Sequence, residues 1–167
     1  MSIVIFSGTP RKQGRTRLVA KEVAEKLDGT LVDLSEGSLP MFNGEDSQGQ
    51  NETVQWLRKI VEEAEAFVWV SPEYHNGMSG ALKNALDYLG SNHFKGKPTL
   101  LLAVSGGGKG GINALNQMRT IGRGLYADVA AQQMIFDPDD FNGDGRLSRE
   151  SEEKLQGVLS GFFPVQV

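Results

Sequence analysis

Short apolar runs recur along the chain, separated by segments in which apolar residues return every three or four positions. Five runs read as buried strands: Ile3 to Phe6, Leu31 to Leu34, Ala66 to Val70, Leu100 to Val104 and Val129 to Phe136. Several lack strict alternation of apolar and polar residues, which suits parallel strands covered on both faces. Five helical patterns lie between or after them. Leu18, Val19, Val23 and Leu27 mark the first, and Val54, Leu57, Val61 and Ala64 the second. Met78, Ala81, Leu82, Ala85, Leu86 and Leu89 mark the third. Ile112, Leu115, Met118 and Leu125 outline the fourth, with Gly122 on the same face. Leu155, Val158, Leu159 and Phe162 mark the last. Each set falls on one helix face, and burial in a core accounts for all of them.

Strict alternation of strand and helix implies a parallel sheet with right-handed crossovers. Five such units predict a flavodoxin-like α/β fold: a three-layer α/β/α sandwich whose five-stranded parallel sheet has the order 2-1-3-4-5. Residues 1–167 are expected to form one domain, in keeping with the length. The polar stretch Ser35 to Asn51 reads as a surface loop. In open parallel sheets, ligands bind beyond the carboxyl ends of the strands. The segments after strands 1, 3 and 4 are therefore the candidates for function.

Composition narrows the chemistry. Hydrophobic residues make up 39% and charged residues 23%, so a packed core is expected and disorder is not. The net charge of −4 speaks against a nucleic-acid binder, which would carry a basic stripe. With no cysteine, disulfides, thiolate catalysis and cysteine-ligated metals are excluded. The first residues lack a basic segment ahead of their apolar run, so no signal peptide is expected. No stretch reaches the roughly 18 apolar residues of a membrane span. A cytoplasmic protein without membrane or nucleic-acid partners is the expectation.

After strand 1 comes Ser7-Gly8-Thr9-Pro10-Arg11-Lys12-Gln13-Gly14-Arg15-Thr16-Arg17, then a helix. Hydroxyls, glycines and cations converge on a helix start, where free N–H groups and the dipole favour an anion. Cations there oppose the dipole, and a bound phosphate explains their presence. Thr9, Arg11, Arg15 and Thr16 are the expected phosphate contacts. The plainer alternative is a solvated turn with an N-cap hydroxyl. A Walker loop is ruled out, because Gly108-Lys109 is followed by Gly110.

Strand 3 leads into Ser71-Pro72-Glu73-Tyr74-His75-Asn76-Gly77-Met78-Ser79-Gly80. Backbone N–H groups from Glu73 to Gly77 could address acceptors on a ring edge, and Asn76 offers both donor and acceptor. Tyr74 supplies apolar surface, or is simply a packed surface aromatic. His75 has no visible carboxylate or nucleophile partner, so it reads as a loop residue near the ligand rather than a base. His93 reads as a surface residue, and two isolated histidines make no metal site. Lys83 and Asp87, four apart, read as a weak exposed pair.

Strand 4 ends in Val104-Ser105-Gly106-Gly107-Gly108-Lys109-Gly110-Gly111. Gly106, Gly108 and Gly111 match GxGxxG, but the turn follows the fourth strand, and no acidic residue lies at the expected offset of about twenty. A backbone loop against a flat ligand fits better than a dinucleotide fingerprint; the alternative is a flexible loop. Together the three segments call for a ligand with a phosphate, a linker and a planar polar ring.

Gly8-Thr9-Pro10-Arg11 through Thr16, Pro72-Glu73-Tyr74 with Gly80-Ala81-Leu82-Lys83-Asn84-Ala85-Leu86-Asp87, and Ser105-x-Gly107-x-x-Gly110-Gly111 make the chain resemble the NADPH-dependent FMN reductase family, in its azoreductase, quinone reductase and chromate reductase branch. The resemblance spans roughly residues 2 to 160. Many members have Pro before the glycine at Gly80, where this chain has Ser79, and His75-Asn76-Gly77-Met78 replaces the commoner turn. The resemblance implies FMN as cofactor and NAD(P)H as hydride donor to the flavin N5 in a ping-pong cycle. It implies an acceptor such as a quinone, azo compound, flavin or chromate, and a homodimer or homotetramer with active sites at the subunit interface. The FMN-binding residues are then Ser7, Thr9, Pro10, Arg11, Arg15 and Thr16, with Pro72, Glu73, Tyr74, His75, Asn76 and Gly77, and Ser105, Gly106, Gly107 and Gly108. The flavin carries the chemistry, so no catalytic acid, base or nucleophile is named. A flavodoxin-like electron carrier and a redox-sensing FMN module are the alternatives.

Asp140-Phe141-Asn142-Gly143-Asp144-Gly145 begins like a calcium loop, but position 12 is Ser151 rather than a bidentate Glu, and no helix is expected before it. A turn into a helix capped by Ser148 is the expectation.

Overall fold

The computed structural model describes residues 1–108 and 110–163. In chain order the elements are β1 (Ile3–Ser7), α1 (Arg15–Leu27), β2 (Thr30–Asp33), α2 (Glu52–Glu63), β3 (Ala66–Tyr74), β4 (Gly77–Met78), α3 (Gly80–Asp87), α4 (Ser91–Phe94), β5 (Pro98–Val104), α5 (Ile112–Gly124), β6 (Asp128–Phe136) and α6 (Arg149–Phe162). The sheet runs β2-β1-β3-β5-β6, and β4 pairs only with β3. All pairings are parallel except β3 with β4. Setting the two-residue β4 aside, the parallel strands follow the expected order.

The period of two along each strand sorts its side chains into two layers. Phe6, Trp69 and Leu101 face α2, α3 and α5, where they join Leu57, Val61, Leu82, Leu115 and Met118. Ile5, Val68 and Leu102 face α1 and α6, joining Val19, Val23, Leu155 and Leu159. Each of these fully buried side chains stabilises the fold by about 1.5–3 kcal/mol. Both faces of the central strands β1, β3 and β5 are therefore dry, as their unbroken apolar runs required.

Three expectations need correction. The third helix does not span Met78 to Leu89. The Ser79 side chain accepts from the Leu82 N–H and starts α3 at Gly80, while Met78 lies in β4. The helix stops at Asp87, and the buried Tyr88 and Leu89 lead into the short α4. His93 is not a surface residue: it is 8% exposed, and its Nδ1 accepts the Gly90 N–H at 2.9 Å. The run Val129 to Phe136 is not a buried strand: β6 lies at the sheet edge with Ala131, Gln132 and Gln133 exposed and only Phe136 buried, whereas Ser35 to Asn51 is the expected surface loop, with 3-10 turns at Leu34–Glu36 and Asp46–Gln50.

The stretch after β6 is a tight turn closed by an antiparallel bridge between Phe141 and Leu147. Asp140 spends its carboxylate on the Ser151 hydroxyl at 2.6 Å and the Asp137 N–H at 2.7 Å. Ser148 caps α6 by accepting from the Ser151 N–H.

Candidate functional site

β1, β3 and β5 are neighbours in the sheet, so the segments at their carboxyl ends meet along one edge. The first begins at Ser7. Its side chain is fully buried, and its hydroxyl has no hydrogen-bond partner among the described residues. A buried unpaired hydroxyl costs about 1–3 kcal/mol, so such a group calls for a partner. The Gly8 N–H donates to the Val70 carbonyl at 2.8 Å, and a Cβ on Gly8 would lie 2.6 Å from that oxygen. Only glycine lets the chain cross β3 so closely.

Thr9 is buried and accepts the Arg11 N–H at 3.1 Å. Thr16 is buried in the first turn of α1. Gly14 precedes that helix in extended conformation, no side chain caps it, and its first turn holds no acid. Its positive end therefore stays unneutralised within the described chain. Pro10 and Arg11 are exposed beside it.

The remaining cations of this segment are partly engaged. The Arg17 guanidinium donates to Asp33 at 2.6 Å, to Glu36 at 3.1 Å and to the Lys12 carbonyl at 3.2 Å. Burial alone would push the Asp33 carboxyl up, but hydrogen bonds from Ser35 and Arg17 outweigh it and hold that carboxyl below its ordinary value. Arg15 lies over the Phe141 ring at 5.6 Å, a cation–π contact.

The second segment is a hairpin rather than a loop. β3 continues through Pro72 and Glu73 to Tyr74, and β4 returns with Glu73 opposite Met78. His75 and Asn76 form the two-residue turn, with φ of 50° and 62°. Two left-handed residues give the I′ geometry that matches strand twist. Tyr74, His75 and Asn76 are exposed at the tip, while Pro72 and Gly77 are buried. The Glu73 carboxylate accepts the Ala114 N–H at 2.9 Å, so it caps α5 and fixes the hairpin to the third segment. The Met78 N–H donates to Gln117 Oε1 at 3.0 Å, a second tie to α5.

In the third segment, Ser105 is buried and Gly106, Gly107 and Gly108 are exposed; Lys109 lies outside the described residues. The Ser105 hydroxyl donates to Asp137 and accepts the Gly107 N–H. At Gly111 the requirement for glycine is local packing: φ is +96°, and a Cβ would lie 2.7 Å from Ile135.

Sequence reasoning missed four contributors. Ser79 donates to the Gly8 carbonyl as well as capping α3, tying the first segment to the second. An N-cap serine before Gly-Ala-Leu is a readable signal. Arg17 with Asp33, and Asp137 beneath Ser105, join residues far apart in sequence and leave no local pattern. The fourth is a groove of about 660 Å³ whose lining includes Pro10, Leu39, Met41, Trp56, Tyr74 and Ala81. A second hollow of about 590 Å³ has Asn76, Lys83, Asn113 and Gln117 in its lining. The expected Lys83–Asp87 pair is present at 2.6 Å with both side chains well exposed.

Residues 1–139 match the family model described as NADPH-dependent FMN reductase. The chain belongs to the NADPH-dependent FMN reductase family. It is 48% identical over 159 residues to the NADPH azoreductase of Bacillus sp. (strain OY1-2), covering 95% of this chain and 89% of that protein. It is 29% identical over 169 residues to a quinone reductase of Pseudomonas putida, covering 97% and 88%. Among solved structures, FerB, the NAD(P)H:acceptor oxidoreductase of Paracoccus denitrificans, superposes with a TM-score of 0.78 at 23% identity over 96% of this chain and 94% of that one. General stress protein 14 of Treponema denticola, solved with FMN, gives 0.62 at 18% identity over 98% of both chains. Family membership makes this chain an oxidoreductase that uses FMN and NAD(P)H. Two observations fit an FMN phosphate here: the Ser7 hydroxyl is buried without a partner among the described residues, and no side chain caps the α1 start.

Proposed function

We propose that this chain is an FMN-dependent NAD(P)H oxidoreductase acting on a small-molecule acceptor: a quinone, azo compound, flavin or chromate. The unpartnered Ser7 hydroxyl carries the reading, because it marks where an anion would complete the fold's hydrogen bonding. When bound, FMN would supply two-electron chemistry in ping-pong order, fed by the hydride of NAD(P)H and emptied by an acceptor such as a quinone, whose second proton would come from solvent.

The protein's part is to bind and orient. Ser7, Thr9, Arg11, Arg15 and Thr16 hold the phosphate at the α1 start, with Pro10 beside it. Glu73 to Gly77 present backbone donors, and Asn76 its side chain, to the ring edge, with Pro72 and His75 beside it and Tyr74 as an apolar wall. Ser105 and Gly106 to Gly108 lie against the ring. Glu73 and Ser79 act indirectly, by fixing the hairpin to α5 and to the first segment. Residues 1–167 act as one FMN-binding domain, in a cytoplasmic homodimer or homotetramer. No helix among the described residues is long and apolar enough to cross a membrane.

Steady-state oxidation of NADPH with a quinone, by purified protein carrying FMN alone, tests this reading. Turnover without any added reductase is expected. A protein that binds FMN yet oxidises NADPH only through a separate reductase would be a carrier instead.

A further inference from the structure

The groove on the β2 side of the site has features that FMN binding leaves unused. Its strap, residues 39–42, is held in place rather than draped. The Pro40 carbonyl accepts from Asn84 Nδ2 at 2.8 Å and from the Tyr88 hydroxyl at 3.1 Å. The Phe42 N–H donates to Asn84 Oδ1 at 2.8 Å, and the Met41 carbonyl accepts from Gln48 at 2.7 Å. The backbone on both sides of Met41 is thus pinned, yet its side chain is 77% exposed. Trp56, on α2, lines the same groove at 45% exposure. Ordering exposed apolar side chains around a hollow brings no folding benefit by itself and marks a binding surface.

Three observations say what it binds. The groove shares Pro10 and Tyr74 with the proposed FMN segments, so an occupant lies against the flavin site. Its volume of about 660 Å³ falls in the usual range for small-molecule pockets, about 300–1,000 Å³. The charged residues lining it are Asp33 and Glu36, both acids; no lysine or arginine among the described residues lines it. Arg17, the nearest cation bonded to these acids, is already shared between them. Such a lining rejects anions and accepts a flat, uncharged, apolar ring.

We propose that this groove is the acceptor subsite, that Met41, Leu39 and Trp56 set acceptor specificity, and that it selects neutral aromatic acceptors over metal oxyanions. The inference rests on the reading that FMN occupies the neighbouring segments. Quinone and azo acceptors share the flat neutral ring, and both fit.

The test uses FMN-loaded protein with a neutral naphthoquinone and with chromate. Wild type favours the naphthoquinone in kcat/KM. Met41→Ala and Trp56→Ala each raise KM for the naphthoquinone about tenfold, as expected for losing one large apolar contact. Both leave the anaerobic rate of flavin bleaching by NADPH unchanged. Met41→Lys, on a side chain too exposed to matter for folding, narrows the naphthoquinone-to-chromate ratio about tenfold. Binding is read separately: naphthoquinone quenches tryptophan emission in wild type, and Trp56→Phe loses most of the quench, because Trp69 is buried in the core. Unchanged naphthoquinone KM in both alanine variants overturns the proposal, and so does slower bleaching in step with KM. A wild type that bleaches no flavin with NADPH sinks the reductase reading instead; the emission titration still decides whether the groove binds the ring.

Discussion

At the scale of single residues, two serines separate binding from folding. Ser7 carries a buried hydroxyl without a partner among the described residues. Removing it takes away a desolvated polar group, so Ser7→Ala should leave the FMN-free protein equally or more stable. The same change should weaken FMN about tenfold, the worth of roughly one hydrogen bond to a charged group. Thermal melts with and without FMN, together with a flavin titration, check both halves. A Ser7→Ala protein that is destabilised while keeping its FMN affinity would remove the hydroxyl from the phosphate site. Ser79 is the opposite case, since its hydroxyl serves the Leu82 N–H and the Gly8 carbonyl. Ser79→Ala should cost about 1 kcal/mol from the lost cap alone, visible as a lower Tm without FMN. At this scale the sequence is most legible where chemistry is local. The Ser148 cap sits where its neighbours say it should. Asp137, bonded to Ser105 across 32 positions, has no local signal at all.

The elements show why some boundaries moved. Alternation and helical spacing identify apolar faces, and every expected strand formed. They do not report where a polar residue diverts the backbone. The His75-Asn76 turn lies within what reads as loop, because asparagine tolerates φ > 0 and the strand pair forms around it. His93 shows the converse: a polar residue in a polar stretch is drawn inside because its ring caps a four-residue helix. Burial lowers the affinity of that ring for a proton, opposed by Glu62 and reinforced by Arg58 and Lys97. The sign follows. The unfolded ring takes up a proton near its ordinary value of 6.5, whereas the folded ring does so only at lower pH. The stability this gives is complete above 6.5 and is lost as pH falls below it. Denaturant melts between pH 7 and 5 should show that slope, and His93→Gln should flatten it. An equal slope in the variant would assign it to other groups. Glu73 acts between elements, and Glu73→Gln keeps an acceptor for the Ala114 N–H but loses the charge. A stability loss of about 0.5–1 kcal/mol is expected, shrinking in high salt.

At the scale of the whole molecule, sheet order places function. Because β1, β3 and β5 are adjacent, three segments far apart in sequence share one edge, as alternating strands and helices require. That much was readable from periodicity. The groove beside Met41 and Trp56 was not, because it depends on where the strap folds, and Asn84 and Gln48 decide that through contacts with no sequence period. The central claim is that this edge holds FMN and lets NADPH reduce it. Anaerobic mixing of NADPH with the FMN-loaded protein tests it most directly, read as loss of flavin absorbance with no other protein present. Bleaching at a rate that saturates with NADPH, followed by recovery of absorbance when a neutral quinone is added, is the predicted result. A protein that takes up no FMN, or whose bound flavin keeps its full absorbance in excess NADPH, would contradict it.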